Sequence, residues 1–109
     1  MQRQLRLSPR AREAAGLLGA NIRLARRERR WTAQDLADRV GVSRPTIQKV
    51  ERGDPSVSLG TALEAASILG IPLFHDEAER RRVERGRIED RLALLPRPSQ
   101  VAAHVDDAF

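Results

Sequence analysis

The chain has 109 residues, of which 32% are charged and 3% are aromatic, and its formal net charge at pH 7 is +5. The absence of cysteine excludes disulfides, thiolate metal sites and cysteine nucleophiles, and it fits a reducing cytoplasm. No apolar run reaches the roughly 18 residues that span a bilayer, and the first ten residues lack the apolar core of a secretory signal, so we expect a cytoplasmic protein without membrane contact.

The positive charge is concentrated at the beginning of the chain. Residues 1–30 carry nine arginines and two glutamates, whereas residues 31–75 have a net charge of −1 and residues 76–95 are balanced. We predict a flexible basic arm over residues 1–12, with Ser8-Pro9 acting as a breaker. Its arginines are either a solvated tail or contacts for a groove or a phosphate backbone; they are Arg3, Arg6, Arg10 and Arg12.

The first predicted helix spans about residues 13–29. Leu18, Ile22 and Ala25 recur at intervals of four and three, which is typical of a helix with one buried stripe. Leu17 and Leu24 are expected to widen this stripe. Trp31 follows the helix, and we expect it to pack against the core rather than to stack on a base.

The second predicted helix spans residues 33–40 and begins after a good capping residue. Thr32 can cap it, with Asp35 as the capping-box partner, and Gly41 ends it in a left-handed conformation. The inward face of this helix is predicted to consist of Leu36, Ala37 and Val40.

The third predicted helix spans residues 44–52. Ser43 is its N-cap, and Pro45 is tolerated in the first turn because the amide hydrogen that it lacks would have no partner there. Ile47 and Val50 face inward, and Gly53 ends the helix.

Two further helices are predicted, over residues 59–69 and 76–94. Ser58 caps the first of them, whose apolar repeat is Leu59, Leu63 and Ala66. The second has only a thin apolar stripe, made of Val83, Ile88, Leu92 and Leu95. After Pro96 the chain is weakly patterned, and we predict a disordered tail over residues 96–109.

The stretch TAQDLADRVGVSRPTIQKVERG, residues 32–53, contains two helices joined by a short turn at a glycine. This is the helix-turn-helix arrangement. Ala37 permits the close approach of the two helices, and Val42 fills the corner between them. The outer side of the third helix is then free to enter a groove.

Residues 19–74 resemble the Xre-like, lambdoid-repressor helix-turn-helix family. The matching pieces are NIRLAR at 21–26, QDLADRVGVSRPTIQKVERG at 34–53 and SLGTALEAASILGIPL at 58–73. The resemblance implies an all-α, five-helix protein with a DNA-binding domain over residues 13–75, whose third helix lies in the major groove. A transcriptional repressor associated with the nucleoid, and not an enzyme, is therefore expected.

The resemblance also implies roles for individual residues. Base-reading positions fall on Arg44, Pro45 and Lys49, with Ser43 and Thr46 beside them. The family often has a phosphate-contacting glutamine at the start of the second helix; that position is Ala33 here, with Gln34 beside it. Arg52 is implied to meet a phosphate, and Gln34 and Thr32 are further DNA-binding candidates. Arg26 is implied to form a structural ion pair with Glu51. One departure from the family is Arg30, which stands where its members usually turn on glycine.

The C-terminal extension resembles that of HipB-like antitoxins, which are encoded beside HipA-like Ser/Thr kinase toxins. This resemblance implies a homodimer that binds a pseudo-palindromic operator, represses its own operon and holds the toxin. Residues 76–95 would serve the dimer or the partner, and the flexible tail 96–109 would bind the partner through Val105, Asp106, Asp107 and Phe109. The alternatives are a stand-alone phage-type or metabolic repressor, or an adaptor that binds proteins without reading DNA.

Catalytic and metal-binding roles have little support in the sequence. His75 and His104 are far apart, whereas a metal site needs three or four convergent ligands. No Ser-His-Asp set, glycine-rich phosphate loop or HExxH pattern is present. We therefore expect no catalytic residue, no cofactor and no metal.

Overall fold

A computed structural model describes residues 5–98, which contain five α-helices. They are α1 (Pro9–Glu28), α2 (Ala33–Val40), α3 (Arg44–Arg52), α4 (Leu59–Ile68) and α5 (Ala78–Leu94). The chain divides between Leu73 and Phe74 into two compact units, of which the first holds α1 to α4 and the second holds α5. The predicted all-α class is confirmed.

The first helix begins four residues earlier than predicted. Ser8 caps it by accepting a hydrogen bond from the Ala11 amide at 3.3 Å, and Pro9 is the first helical residue. Serine before proline is therefore a helix start here and not a breaker, because proline has its φ angle preset for the first turn. The prediction of a flexible arm is wrong for residues 9–12, so Arg10 and Arg12 lie on α1.

The bounds predicted for α2 and α3 are confirmed to the residue. Each begins at a hydroxyl cap and ends at a left-handed glycine, with φ of 87° at Gly41 and 73° at Gly53. These signals lie within a few residues of the helix ends, which is why the sequence shows them. Helix α4 ends one residue before its predicted end, and α5 begins two residues after its predicted start.

The core of the first unit lies where α1, α2, α3 and α4 meet. Its largest fully buried side chains come one from each of the first three helices, and they are Ile22, Leu36 and Ile47. Each stabilises the fold by about 1.5–3 kcal/mol through the removal of its surface from water. Small and medium residues complete the core: Ala37, Val50, Ala65, Ala66 and Leu69.

Three leucines predicted to face inward are exposed instead. Leu17 and Leu24 of α1 are 64% and 58% exposed, and Leu59 of α4 is 75% exposed. At 100° per residue, Leu17 and Leu24 lie more than 90° from the line through Leu18 and Ile22 that meets the core. The buried stripe of α1 is therefore narrower than its apolar composition indicates.

Where α1 contacts the end of α3, the backbones of the two segments approach each other closely. A side chain at Gly19 would place its Cβ 2.5 Å from the carbonyl oxygen of Glu51, and one at Gly53 would lie 2.8 Å from the carbonyl carbon of Ala15. Both distances are too short for any side chain, so glycine is required at each position. The C-terminal end of α3 is thereby fixed against the middle of α1.

The second unit consists of one helix and its flanking residues over the described part, 74–98. No residue of α5 is buried, and Ile88, Leu92 and Leu95 are 50%, 61% and 64% exposed.

None of the helices in residues 5–98 has the length and apolar character needed to cross a membrane. The tail prediction falls mainly on residues 99–109, which lie outside the described residues, as do His104, Val105, Asp106, Asp107 and Phe109. Arg3 lies outside them as well.

Candidate nucleic-acid interface

A tight turn separates α2 from α3. The amides of Gly41 and Val42 both donate to the Ala37 carbonyl, at 2.8 and 3.0 Å, which closes the end of α2. Val42 packs partly buried against the core, and Ala37 is fully buried where the two helices meet. The chain can then reverse direction within three residues, because glycine adopts φ of 87° without steric cost.

Helix α3 has one buried side and one exposed side. Ile47 is fully buried and Val50 nearly so. The opposite side is a row of five exposed residues: Arg44, Pro45, Gln48, Lys49 and Arg52. With side chains, an α-helix is about 10–12 Å across, which matches the roughly 12 Å width of the DNA major groove.

Gln48 lies in the middle of this exposed row, and the sequence reasoning missed it. Its position was available from the pattern, because Gln48 is four residues after Arg44 and four before Arg52 on a helix whose inward residues were known.

Local hydrogen bonds hold the hydroxyl and amide groups around the turn. The Ser43 and Thr46 hydroxyls are 2.9 Å apart, and Ser43 also accepts from the Thr46 amide at 3.3 Å. The Gln34 side-chain amide donates to Asp38 at 2.7 Å. These bonds orient the side chains along their own helices, so the interface is ordered before any ligand arrives.

The cap of α2 is a reciprocal pair of hydrogen bonds. The Thr32 hydroxyl accepts from the Asp35 amide at 3.0 Å, and the Asp35 carboxylate accepts from the Thr32 amide at 2.8 Å. The hydrogen bond donated by the Thr32 backbone amide is the main cause that lowers the pKa of the Asp35 carboxyl below its ordinary value. The first turn of α2 is therefore anchored by an ionised carboxylate.

The predicted partners Arg26 and Glu51 are brought together between α1 and α3. Arg26 donates from Nε to Oε2 at 2.7 Å and from Nη2 to Oε1 at 3.0 Å, so the pair is bidentate. A third nitrogen, Nη1, donates to the Trp31 carbonyl at 2.8 Å. The hydrogen bond to Glu51 raises the pKa of Arg26, against the opposing effect of burial. The pair holds α3 to α1 and to the start of the α2 connection.

The connection from α1 to α2 turns on an arginine. Arg30 has a left-handed φ of 61°, and the Trp31 amide donates across the turn to the Arg26 carbonyl at 3.1 Å. This is the pattern of a helix end that usually places glycine at the left-handed position. Trp31 packs partly buried against the core, as predicted, and the Arg39 guanidinium stacks 3.9 Å from its ring centre.

The loop after α3 carries one carboxylate close to the exposed cations. Asp54 accepts from the Ser56 amide at 2.8 Å, and that hydrogen bond lowers the pKa of Asp54 more than the nearby charges of Lys49 and Arg52 do. Among residues 5–98, no group of three or more His, Cys, Asp or Glu could hold a metal ion.

The geometry defines a class of protein: a helix-turn-helix domain whose second helix presents a cationic face, as DNA-binding domains do. Residues 22–75 match the model of a helix-turn-helix family, an Xre-like domain, and this match supports a DNA-binding transcription regulator. Neither the comparison with curated proteins nor that with solved structures found a match.

Proposed function

We propose that this protein is an autoregulatory repressor of a toxin–antitoxin operon, which reads its operator with α3 and neutralises a HipA-like Ser/Thr kinase toxin with its C-terminal segment. The observation that carries the DNA-reading part is the exposed row on α3. It presents Arg44 and Lys49 outward while Ile47 and Val50 anchor the helix from behind.

Base recognition is assigned to the start and centre of this row. Arg44 and Lys49 can donate to guanine O6 and N7, and Pro45 can contact a thymine methyl. Gln48 can pair with adenine N6 and N7, which adds a position to the three that the family resemblance implies.

Phosphate contacts are assigned to the residues around these. Thr32 and Gln34 stand at the N-terminal end of α2, Ser43 and Thr46 at that of α3, and Arg52 in its last turn. Helix N-termini favour anions because the positive end of the helix dipole lies there. Such contacts set the register of the protein on DNA without reading its sequence.

Homodimerisation is proposed because one short recognition helix reads few base pairs. Two copies related by a two-fold axis would read two half-sites about 34–36 Å apart, or a multiple of that distance, on a pseudo-palindromic operator. Doubling the contacts multiplies specificity as well as affinity.

The antitoxin role is supported by the segment that follows the DNA-binding domain. Residues 76–109 lie beyond the matched region 22–75, and the described part of them is a helix with Ile88, Leu92 and Leu95 exposed. Exposed apolar residues in a row mark surfaces that bind other proteins. We assign residues 76–95 to dimer or toxin contact and residues 96–109 to toxin contact.

Two variants separate the two activities. Deletion of residues 96–109 should leave binding to the promoter upstream of the gene unchanged but weaken co-purification with the kinase encoded next to it. Arg44→Ala should weaken promoter binding and leave kinase co-purification unchanged. The antitoxin role is refuted if the neighbouring gene encodes no kinase, or if its product does not co-purify with the full chain.

A further inference from the structure

A basic groove lies beside the exposed row of α3. One side is formed by residues 5–7 and Arg12, and the other by Lys49, Arg52 and the loop 53–56. We propose that this groove, called here the arm groove, receives a backbone phosphate of the duplex outside the base-reading contacts. The inference rests on the proposed DNA binding and deepens it, since it gives a role to arginines that precede the matched domain.

The charge of the arm groove suits an anion. Four cationic side chains line it, Arg6, Arg12, Lys49 and Arg52, against the single carboxylate of Asp54. Three of the four cations are arginines, whose planar forks bind phosphate oxygens in a bidentate manner. Asp54 accepts a hydrogen bond from the Ser56 amide, so part of its charge is already satisfied within the loop.

Backbone contacts hold together the two helices that border the groove. The close approach at Gly19 and Gly53 fixes the end of α3 against α1. The Ser8 cap starts α1 beside it, and Arg12 Nη2 donates to the Leu7 carbonyl at 3.4 Å, which links Leu7 to the start of α1. The arm cations are therefore presented beside the recognition helix.

The occupant is a DNA phosphate because the groove is continuous with the face that reads DNA. Lys49 and Arg52 belong both to the groove and to the exposed row of α3. When α3 lies in the major groove, the sugar–phosphate backbone passes next to its ends. Arg6 and Arg12 then add affinity for any sequence and no preference among sequences.

The salt dependence of binding tests this assignment. Two fluorescein-labelled 30-bp duplexes serve as probes, one of random sequence and one selected from a random pool by the wild-type protein. Each phosphate contact contributes about 0.9 to the slope of log Kd against log salt concentration. Arg6→Ala and Arg12→Ala should each lower that slope by about this amount and weaken both duplexes by the same factor.

Arg10→Ala is the matched control, because Arg10 is two residues from Arg12 on α1 but does not line the groove. It should leave the slope unchanged. The inference is overturned if Arg6→Ala and Arg12→Ala keep the wild-type slope, or if Arg10→Ala lowers it equally, while wild-type binding itself stands. If the wild-type protein binds neither duplex at 50 mM salt, the proposed function fails and the inference with it.

Discussion

Arg26 and Glu51 form a bidentate ion pair that joins α1 to the last turn of α3, with side chains only 10% and 7% exposed. The same guanidinium also holds the Trp31 carbonyl. One buried cation thus links three parts of the domain: α1, α3 and the turn into α2. The orientation of the exposed row on α3 depends on this link, because α3 is only nine residues long.

Loss of one partner of this pair should be costly. Glu51→Ala leaves the buried Arg26 cation without its carboxylate and should lower the free energy of unfolding by about 3–5 kcal/mol. The double variant Arg26→Met/Glu51→Leu removes both charges and should lose much less than Glu51→Ala alone. Urea unfolding followed by circular dichroism measures both, and a Glu51→Ala protein as stable as the double variant would contradict the structural role.

Specificity should depend on Arg44 and general affinity on Arg52. Arg44→Ala should relax the preference at one base pair of each half-site and weaken the selected duplex by about 1–3 kcal/mol. Arg52→Ala should weaken selected and random duplexes by the same factor and lower the salt slope by about 1. Anisotropy titrations with single-base variants of the selected duplex distinguish the two, and identical profiles for both variants would refute the assignment.

Replacing Arg30, the left-handed residue after α1, with glycine should stabilise the domain. Glycine removes the steric cost of a φ angle of 61°, and the free energy of unfolding should rise by about 1 kcal/mol. Arg23→Gly is the control, since Arg23 is an exposed arginine inside α1 and glycine there should destabilise the helix by about 1 kcal/mol. If both variants shift the thermal midpoint in the same direction, Arg30 carries no conformational strain.

Acid should destabilise the domain through two hydrogen-bonded carboxylates. The pKa values of Asp35 and Asp54 are lowered in the folded state, chiefly by hydrogen bonds from Thr32 and Ser56 respectively. Each carboxylate therefore contributes stability that is fully present above the unfolded pKa of about 3.9 and is lost as pH falls through the lower folded value. Urea midpoints between pH 7 and pH 2 measure the loss.

Asparagine at either position keeps the side-chain oxygen that accepts the hydrogen bond but no longer titrates. Asp35→Asn and Asp54→Asn should each make the urea midpoint less sensitive to pH below 4 than it is in the wild type. Asp90→Asn, at an exposed position of α5, should leave the acid sensitivity unchanged. Curves of equal steepness for all three variants would show that these caps do not cause the acid response.

Much of the DNA-binding domain was predictable from local signals. The caps at Thr32 and Ser43, and the glycines that end α2 and α3, act through hydrogen bonds within a few residues, so the bounds of both helices follow from the sequence. The start of α1 was misjudged although its signal is also local, because Ser8-Pro9 fits a turn as well as a helix start.

The side that a helix buries was less predictable than its ends. Leu17 and Leu24 look like core residues by composition, and their exposure follows only from where α3 meets α1. That meeting place is set by the backbone contact between Gly19 and Glu51, 32 residues apart in sequence, and no periodicity within α1 shows it.

By itself, the sequence determined the all-α class, the two helices of the helix-turn-helix motif and the cations that α3 carries, because helix ends and helix faces are properties of neighbouring residues. Only the tertiary structure decided that Arg6 and Arg12 lie across a groove from Lys49 and Arg52. The physical reason is that the close backbone approach of α1 and α3 at Gly19 and Gly53 joins segments that are distant in sequence. Considered alone, each of these glycines is compatible with many other local structures, so the sequence does not show the contact.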